Sequence, residues 1–197
     1  MHVEATIRNT KMQEQAGVAN TLFEQERFVE AFEEYSKMAN AGSVEAQLRV
    51  AWMYQTGHGV KMNLDDARCW YLMAAKSDSA EAQFHLGYFY ELEKKYSEAM
   101  NCFRKSAVQN HMPSIYQLGV LYELGKGVER DKEEAYKCYE QAARMGHLRA
   151  QREMGLMIIK GYKGVKRIPQ GILTLIRIPY KAVRLALKNI EDDRLRW

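Results

Sequence analysis

The chain has 197 residues, of which 47% are hydrophobic and 27% charged, with a formal net charge of +4. That balance suits one globular domain or one repeat array and excludes a disordered or collagen-like chain. No apolar run approaches the roughly 18–20 residues of a membrane-crossing helix, the first fifteen residues lack the apolar centre of a secretory leader, and three cysteines without a CxxC pair exclude a disulfide scaffold.

Cys69, Cys102 and Cys138 read as reduced core thiols, so the expected location is cytoplasmic, with the inner face of a membrane as the alternative. The charge is unevenly spread. From Gln151 onward there are eleven Lys/Arg and four Asp/Glu, against eighteen and twenty-one before it. A mildly acidic body and a basic end point to an interaction surface.

Residues 1–13 are expected to be a flexible N-terminus. From residue 14 onward a pattern recurs. Ala31, Ala67, Ala99 and Ala135 are spaced 36, 32 and 36 apart, and Tyr35, Tyr71, Phe103 and Tyr139 keep the same spacing. So do Ala39, Ala75, Ala107 and Ala143, while Leu22, Tyr54, Tyr90 and Tyr122 follow intervals of 32, 36 and 32. Within each unit the apolar residues fall at i, i+3, i+4 and i+7, the period of a helix. The alternation has a local cause. The second and fourth units carry Gly57-His58-Gly59-Val60 and Gly125-Lys126-Gly127-Val128, and the first and third replace this loop with Gln25-Glu26-Arg27 and Glu93-Lys94-Lys95. Asp131 stands where a cap for the following helix is expected. The predicted units cover about 14–45, 46–81, 82–113 and 114–149, with a partial one at 150–165, and a separate segment at 166–197.

The string Ala46-Gln47-x3-Ala51-x2-Tyr54-x2-Gly57-x-Gly59-Val60, followed by Asp65-x-Ala67-x2-Trp70-Tyr71-x2-Ala74-Ala75, resembles the Sel-one-like repeat family, a relative of the tetratricopeptide repeat. Leu118-Gly119-x2-Tyr122-x2-Gly125-x-Gly127-Val128 and the residues after it, through Gly146-His147, repeat that pattern. The first and third units, lacking the glycine loop, look closer to plain tetratricopeptide units. The resemblance implies an all-α fold, an α-α superhelix (solenoid) of about four to five antiparallel helix pairs. It also implies a scaffold or adaptor role, often bacterial, rather than an enzyme. Such arrays place the first helix of each pair along a groove.

Read by register, the groove rows contain Trp52, Phe84, Tyr88 and Tyr116, with Glu91 and Glu123 in the middle and Arg152 at one end. Exposed aromatics are the anchors that protein interfaces use, and the same side chains would equally serve as core between neighbouring helices. With only Asn20 and Arg152 of suitable type, at opposite ends, no clamp for a C-terminal carboxylate is expected. No cofactor or metal is expected: the five histidines form no ligand set, and the glycine loops follow no strand, as a phosphate-binding loop would.

From Met154 to Ile190 there is no acidic residue. Two helices are predicted there, near 169–177 and 179–190, each opening on a proline. Arg177, Lys181, Arg184 and Lys188 recur at +4, +3 and +4, one basic stripe on a broad apolar helix, and Trp197 ends the chain. This basic amphipathic extension has three readings: it caps the solenoid, lies on an anionic membrane, or docks an acidic partner. Nucleic acid is not expected, because the basic residues are not interleaved with aromatics. The expected function is a non-catalytic adaptor that binds an unidentified protein partner through the groove and the C-terminal segment. The alternative is a peripheral membrane adaptor of a bacterial cell-envelope or polysaccharide assembly.

Overall fold

The computed structural model describes residues 2–162, 169–174 and 176. Among the described residues every regular element is a helix: α1 His2–Glu24, α2 Phe28–Asn40, α3 Val44–Thr56, α4 Leu64–Ala75, α5 Ala80–Leu92, α6 Tyr96–Val108, α7 Met112–Leu124, α8 Lys132–Arg144 and α9 Leu148–Ile159. Residues 169–174 are also helical. The chain divides into two compact units, 1–109 and 110–197. In the first, α1 to α6 each pack on the next; in the second, α7 packs on α8 and α8 on α9. α1 reaches back to His2, through the stretch 1–13 that the sequence reading sets apart, which contains neither glycine nor proline to interrupt a helix.

The periodic residues interlock. Each second helix presents an aromatic ring at the registers of Tyr35, Tyr71, Phe103 and Tyr139, at most 3% exposed. Each ring meets a first helix where the side chain is minimal. A Cβ built on Gly87 would lie 2.4 Å from the Phe103 ring, and one on Gly119 would lie 2.7 Å from the Tyr139 ring. Ala51 occupies the same register and shares a core cluster with Tyr71. The alanines at 31, 67, 99 and 135 are fully buried and let the paired helices close on each other.

The helix ends repeat their chemistry too. Ser43 and Ser79 accept hydrogen bonds from the backbone N–H groups of Ala46 and Ala82, at 3.3 and 3.2 Å. Asp131 accepts from Glu133 and Glu134 at 2.9 and 3.0 Å, the cap its sequence position foretold. Gln47, Gln83 and Gln151 each donate a side-chain N–H to the carbonyl of Ala39, Ala75 and Ala143, at the end of the preceding helix. These bonds tie one helix pair to the next by occupying carbonyls that a helix end leaves without an internal partner.

Two kinds of turn account for the alternating lengths. Gly57 and Gly125 end α3 and α7 in the left-handed conformation, at φ 78° and 67°. The short links instead place Glu26 and Lys94 at φ 59° and 61°. Asp78 and Asn110 do likewise, at φ 58° and 60°, where the other inter-repeat turns have Gly42 and Gly146. Gly59 has a further constraint, because a Cβ there would sit 2.1 Å from the Phe28 carbonyl oxygen. The glycine loop therefore lies directly on the start of α2.

The repeat register continues past α9. Gly171 stands 36 residues after Ala135, is buried, and lies in the 169–174 helix. A Cβ on it would meet the Gly155 carbonyl oxygen at 2.9 Å and Ile158 at 3.1 Å.

Gly59→Ala and Gly42→Ala separate clash from backbone strain. Both residues have positive φ, but only Gly59 has backbone atoms in the way. Gly42→Ala is expected to cost about 1 kcal/mol, the penalty of a left-handed alanine. Gly59→Ala is expected to cost at least about 2 kcal/mol more, as overpacked sites do. Urea denaturation of the two variants measures the difference.

Candidate partner-binding face

The first helices of successive pairs present corresponding stripes. On α3 the stripe is Glu45, Leu48, Arg49, Trp52 and Gln55, and on α5 it is Glu81, Phe84, His85, Tyr88 and Leu92. Two hollows lie along them. One, of about 320 Å³, is lined by Glu45, Leu48, Arg49, Trp52 and Glu81. The other, of about 230 Å³, is lined by Gln55, Leu64, Phe84, His85, Tyr88, Phe89 and Leu92. The second is apolar and stays below the roughly 300–1,000 Å³ of small-molecule sites, so it suits one side chain better than a whole cofactor.

Packed rings shape the second hollow. Phe84 and Tyr88 meet edge to face at 5.1 Å between centroids. Both lie 6.0 Å from the buried ring of Phe103, which packs behind them. His85 stacks on Tyr71 at 4.4 Å, and the Tyr71 hydroxyl donates to Gln55 at 3.0 Å. Above this layer Tyr88 is 41% exposed and Leu92 74%, so the apolar rim faces solvent.

The predicted groove residues have different fates. Phe84 and Tyr88 come together at one hollow, and Trp52 lines the other. Trp52 is also held in place, edge-on to Phe23 at 5.7 Å and stacked on His58 of the glycine loop at 4.8 Å. Tyr116, in the second unit, stacks on His147 at 4.5 Å and packs beside Tyr139 at 5.7 Å. Burial, together with the hydrogen bond that Glu123 accepts from the Tyr139 hydroxyl at 2.7 Å, holds that phenol far above its ordinary range. Glu91 is half-buried. Arg152 is exposed and pairs with Glu153 at 2.8 Å. Arg177, Lys181, Arg184, Lys188 and Trp197 lie outside the described residues. Sequence reasoning missed Leu64 and Leu92 as lining residues. Leu124, exposed at the register of Leu92, was an available signal that the ends of first helices carry bare leucines.

Among the described residues no three His, Cys, Asp or Glu side chains converge as a metal site requires. No described helix is long and apolar enough to cross a membrane. The three cysteines are free; Cys69 is exposed and Cys102 buried. Burial pushes the Cys138 thiol up to about 11 and raises that of Cys102.

Stacked helix pairs with a row of rings set against a row of glycines and alanines, and hollows along their first helices, define an α-solenoid repeat protein. Copies of the Sel1 repeat match residues 44–79, 80–111 and 113–147, just over half the chain, and the chain belongs to the Sel1 repeat family. The match at 80–111 includes the unit whose short link made it look closer to a plain tetratricopeptide repeat. The fold is similar to that of a Sel1 repeat protein from Oxalobacter formigenes, with 30% identity and a TM-score of 0.74 over 83% of this chain and 69% of that one. In sequence the chain is 31% identical over 118 residues to a putative sel1-like repeat-containing protein of Acanthamoeba polyphaga mimivirus, covering 60% of this chain and 22% of that protein. It is 39% identical over 83 residues to the DAP3-binding cell death enhancer 1 of Rattus norvegicus, covering 41% of this chain and 16% of that protein. The chain thus spans about a quarter or less of the length of these curated relatives.

His147 makes the second unit sensitive to acid. Its Nδ1 accepts from the Ala150 N–H at 3.1 Å, which requires the neutral ring. Burial, aided by Arg149, holds its pKa below 6.5. Below that pH the unfolded chain binds the proton more readily than the native one, so this contribution is full above about pH 6.5 and is lost as pH falls. His147→Ser, which restores the cap used at Ser43 and Ser79, is expected to flatten the stability profile between pH 7 and 5, measured by urea unfolding across that range. Iodoacetamide labelling of the native protein followed by peptide mass spectrometry is expected to modify Cys69 at least about tenfold faster than Cys102 or Cys138.

Proposed function

We propose that this chain is a non-catalytic interaction module that binds a segment of a partner protein along the α3–α5 face. One observation carries the reading. Tyr88 and Leu92 stand exposed over a hollow whose Phe84, His85 and Phe89 side chains are already held by ring contacts, so a partner side chain could enter without reordering them. Preorganised aromatic pockets are where interface energy concentrates. Membership of a repeat family with a DAP3-binding relative supports the general class and leaves the partner unnamed. Placing the module in a reducing compartment such as the cytoplasm rests on the odd number of cysteines and the lack of a CxxC pair in the sequence. The alternative of a membrane adaptor rests on the basic stripe of residues 177–188 in the sequence alone.

Photo-crosslinking tests the reading. Benzoylphenylalanine at Leu92 is expected to trap a partner in the native cell, and the same probe at Met73, exposed on α4, is not. Adding Tyr88→Ala to the Leu92 probe is expected to reduce the adduct at least about fivefold. Equal trapping from Leu92 and Met73 would count against the face.

A further inference from the structure

The two hollows on the α3–α5 face differ in chemistry and are a fixed distance apart. The apolar one holds Phe84, Tyr88, Phe89 and Leu92. The other sets Glu45 and Glu81 against Arg49, beside Leu48 and Trp52. Glu81 is well exposed: its side chain keeps 60% of its surface. Counting the half-buried Glu91 at the far end, the two stripes carry three carboxylates and one guanidinium.

The separation follows from helix geometry. Glu45 and Glu81 lie in the first turns of α3 and α5. The apolar hollow gathers around Gln55 at the end of α3 and around Tyr88 to Leu92 on α5. From Leu48 to Gln55, or from Glu81 to Tyr88, is seven residues, which at 1.5 Å per residue is about 10 Å along the helix. A polyproline II segment rises about 3.1 Å per residue and returns to the same face every third residue, so three residues cover that span.

We infer that the α3–α5 face recognises a segment in the polyproline II conformation carrying a Lys or Arg three positions from a large apolar residue. The apolar side chain enters the hollow under Tyr88 and Leu92, and the cation lies between Glu45 and Glu81. The argument rests on the proposed partner-binding face and adds the chemistry of its occupant. Charge complementarity favours the basic segment, because Arg49 offsets one of the two carboxylates and leaves the hollow a net negative charge, against which an acidic side chain is disfavoured. The segment binds as a polyproline II stretch, because helical spacing of three residues would cover only about 4.5 Å and a β-strand would turn the two side chains to opposite sides.

Selection of the full chain against a phage library of random dodecapeptides tests this. The expected result is enrichment of sequences with Lys or Arg three positions from Leu, Phe or Trp. A second selection with the Glu45→Gln/Glu81→Gln protein is expected to keep the apolar preference and lose the basic one. A third with Tyr88→Ala/Leu92→Ala is expected to lose the apolar preference. All four residues are on the surface, and circular dichroism checks that each variant is folded. Enriched peptides that depend on Tyr88 and Leu92 but lack a basic residue at that spacing would overturn this inference and leave the partner-binding face standing. Peptides indifferent to both double substitutions, or no enrichment at all, would overturn both.

Discussion

The contact between an aromatic ring and a missing side chain underlies the rest of this structure. Phe103 and Tyr139 can bury themselves only because Gly87 and Gly119 leave room for them, and Tyr71 relies in the same way on Ala51. Protein interiors are packed too tightly for such a ring to find space elsewhere. The position of each second helix on its first is therefore set to within a fraction of an ångström. That precision is passed to the solvent face, because three of the four rings are tyrosines whose hydroxyls reach it. Tyr35 donates to Asn20, Tyr71 to Gln55 and Tyr139 to Glu123. The third pair has Phe103 instead, and there Phe84 and Tyr88 lean on the ring. The apolar hollow lies between these two arrangements, with Gln55, which accepts from Tyr71, on one side and Phe84 and Tyr88, which lean on Phe103, on the other.

Much of this was legible in the chain. Residues that recur because the backbone demands them, the buried alanines and rings, the glycines of Gly57 and Gly125, and the cap at Asp131, announce themselves by type and spacing. Turns that use Glu26 and Lys94 with positive φ do not, because those residue types are not favoured there, and Asp78 and Asn110, whose types do visit that region, mark it more weakly than glycine. The face was only half legible. Register placed Phe84 and Tyr88 correctly on one stripe, but it could not tell that Trp52 is braced by His58 from a loop, or that Tyr116 lies under His147. Those contacts depend on where loops and caps return in space, and periodicity is silent on that.

The two units also differ in how they finish their helices. In the first unit, serines at 43 and 79 and an asparagine at 63 serve as caps, none of which titrates near neutrality. In the second, the corresponding inter-repeat positions hold His111 and His147. Of the two, His147 takes over the capping bond, and its imidazole brings a ring that stacks on Tyr116 as well as an acceptor, whereas His111 meets the Ser114 hydroxyl at 2.9 Å and makes no cap bond.

Gly171 bears on how modular such a chain is. Repeat proteins are often treated as strings of exchangeable parts, so that averaging the copies yields a serviceable master unit. At the register of residues 31, 67, 99 and 135 that average is alanine without exception. At 171 alanine does not fit, because its methyl group would press on the Gly155 carbonyl and on Ile158. The fifth unit has followed the common spacing while giving up the common residue, to let one backbone approach another. A master unit built from the inner copies could be multiplied among themselves, but it could not stand in for this last one.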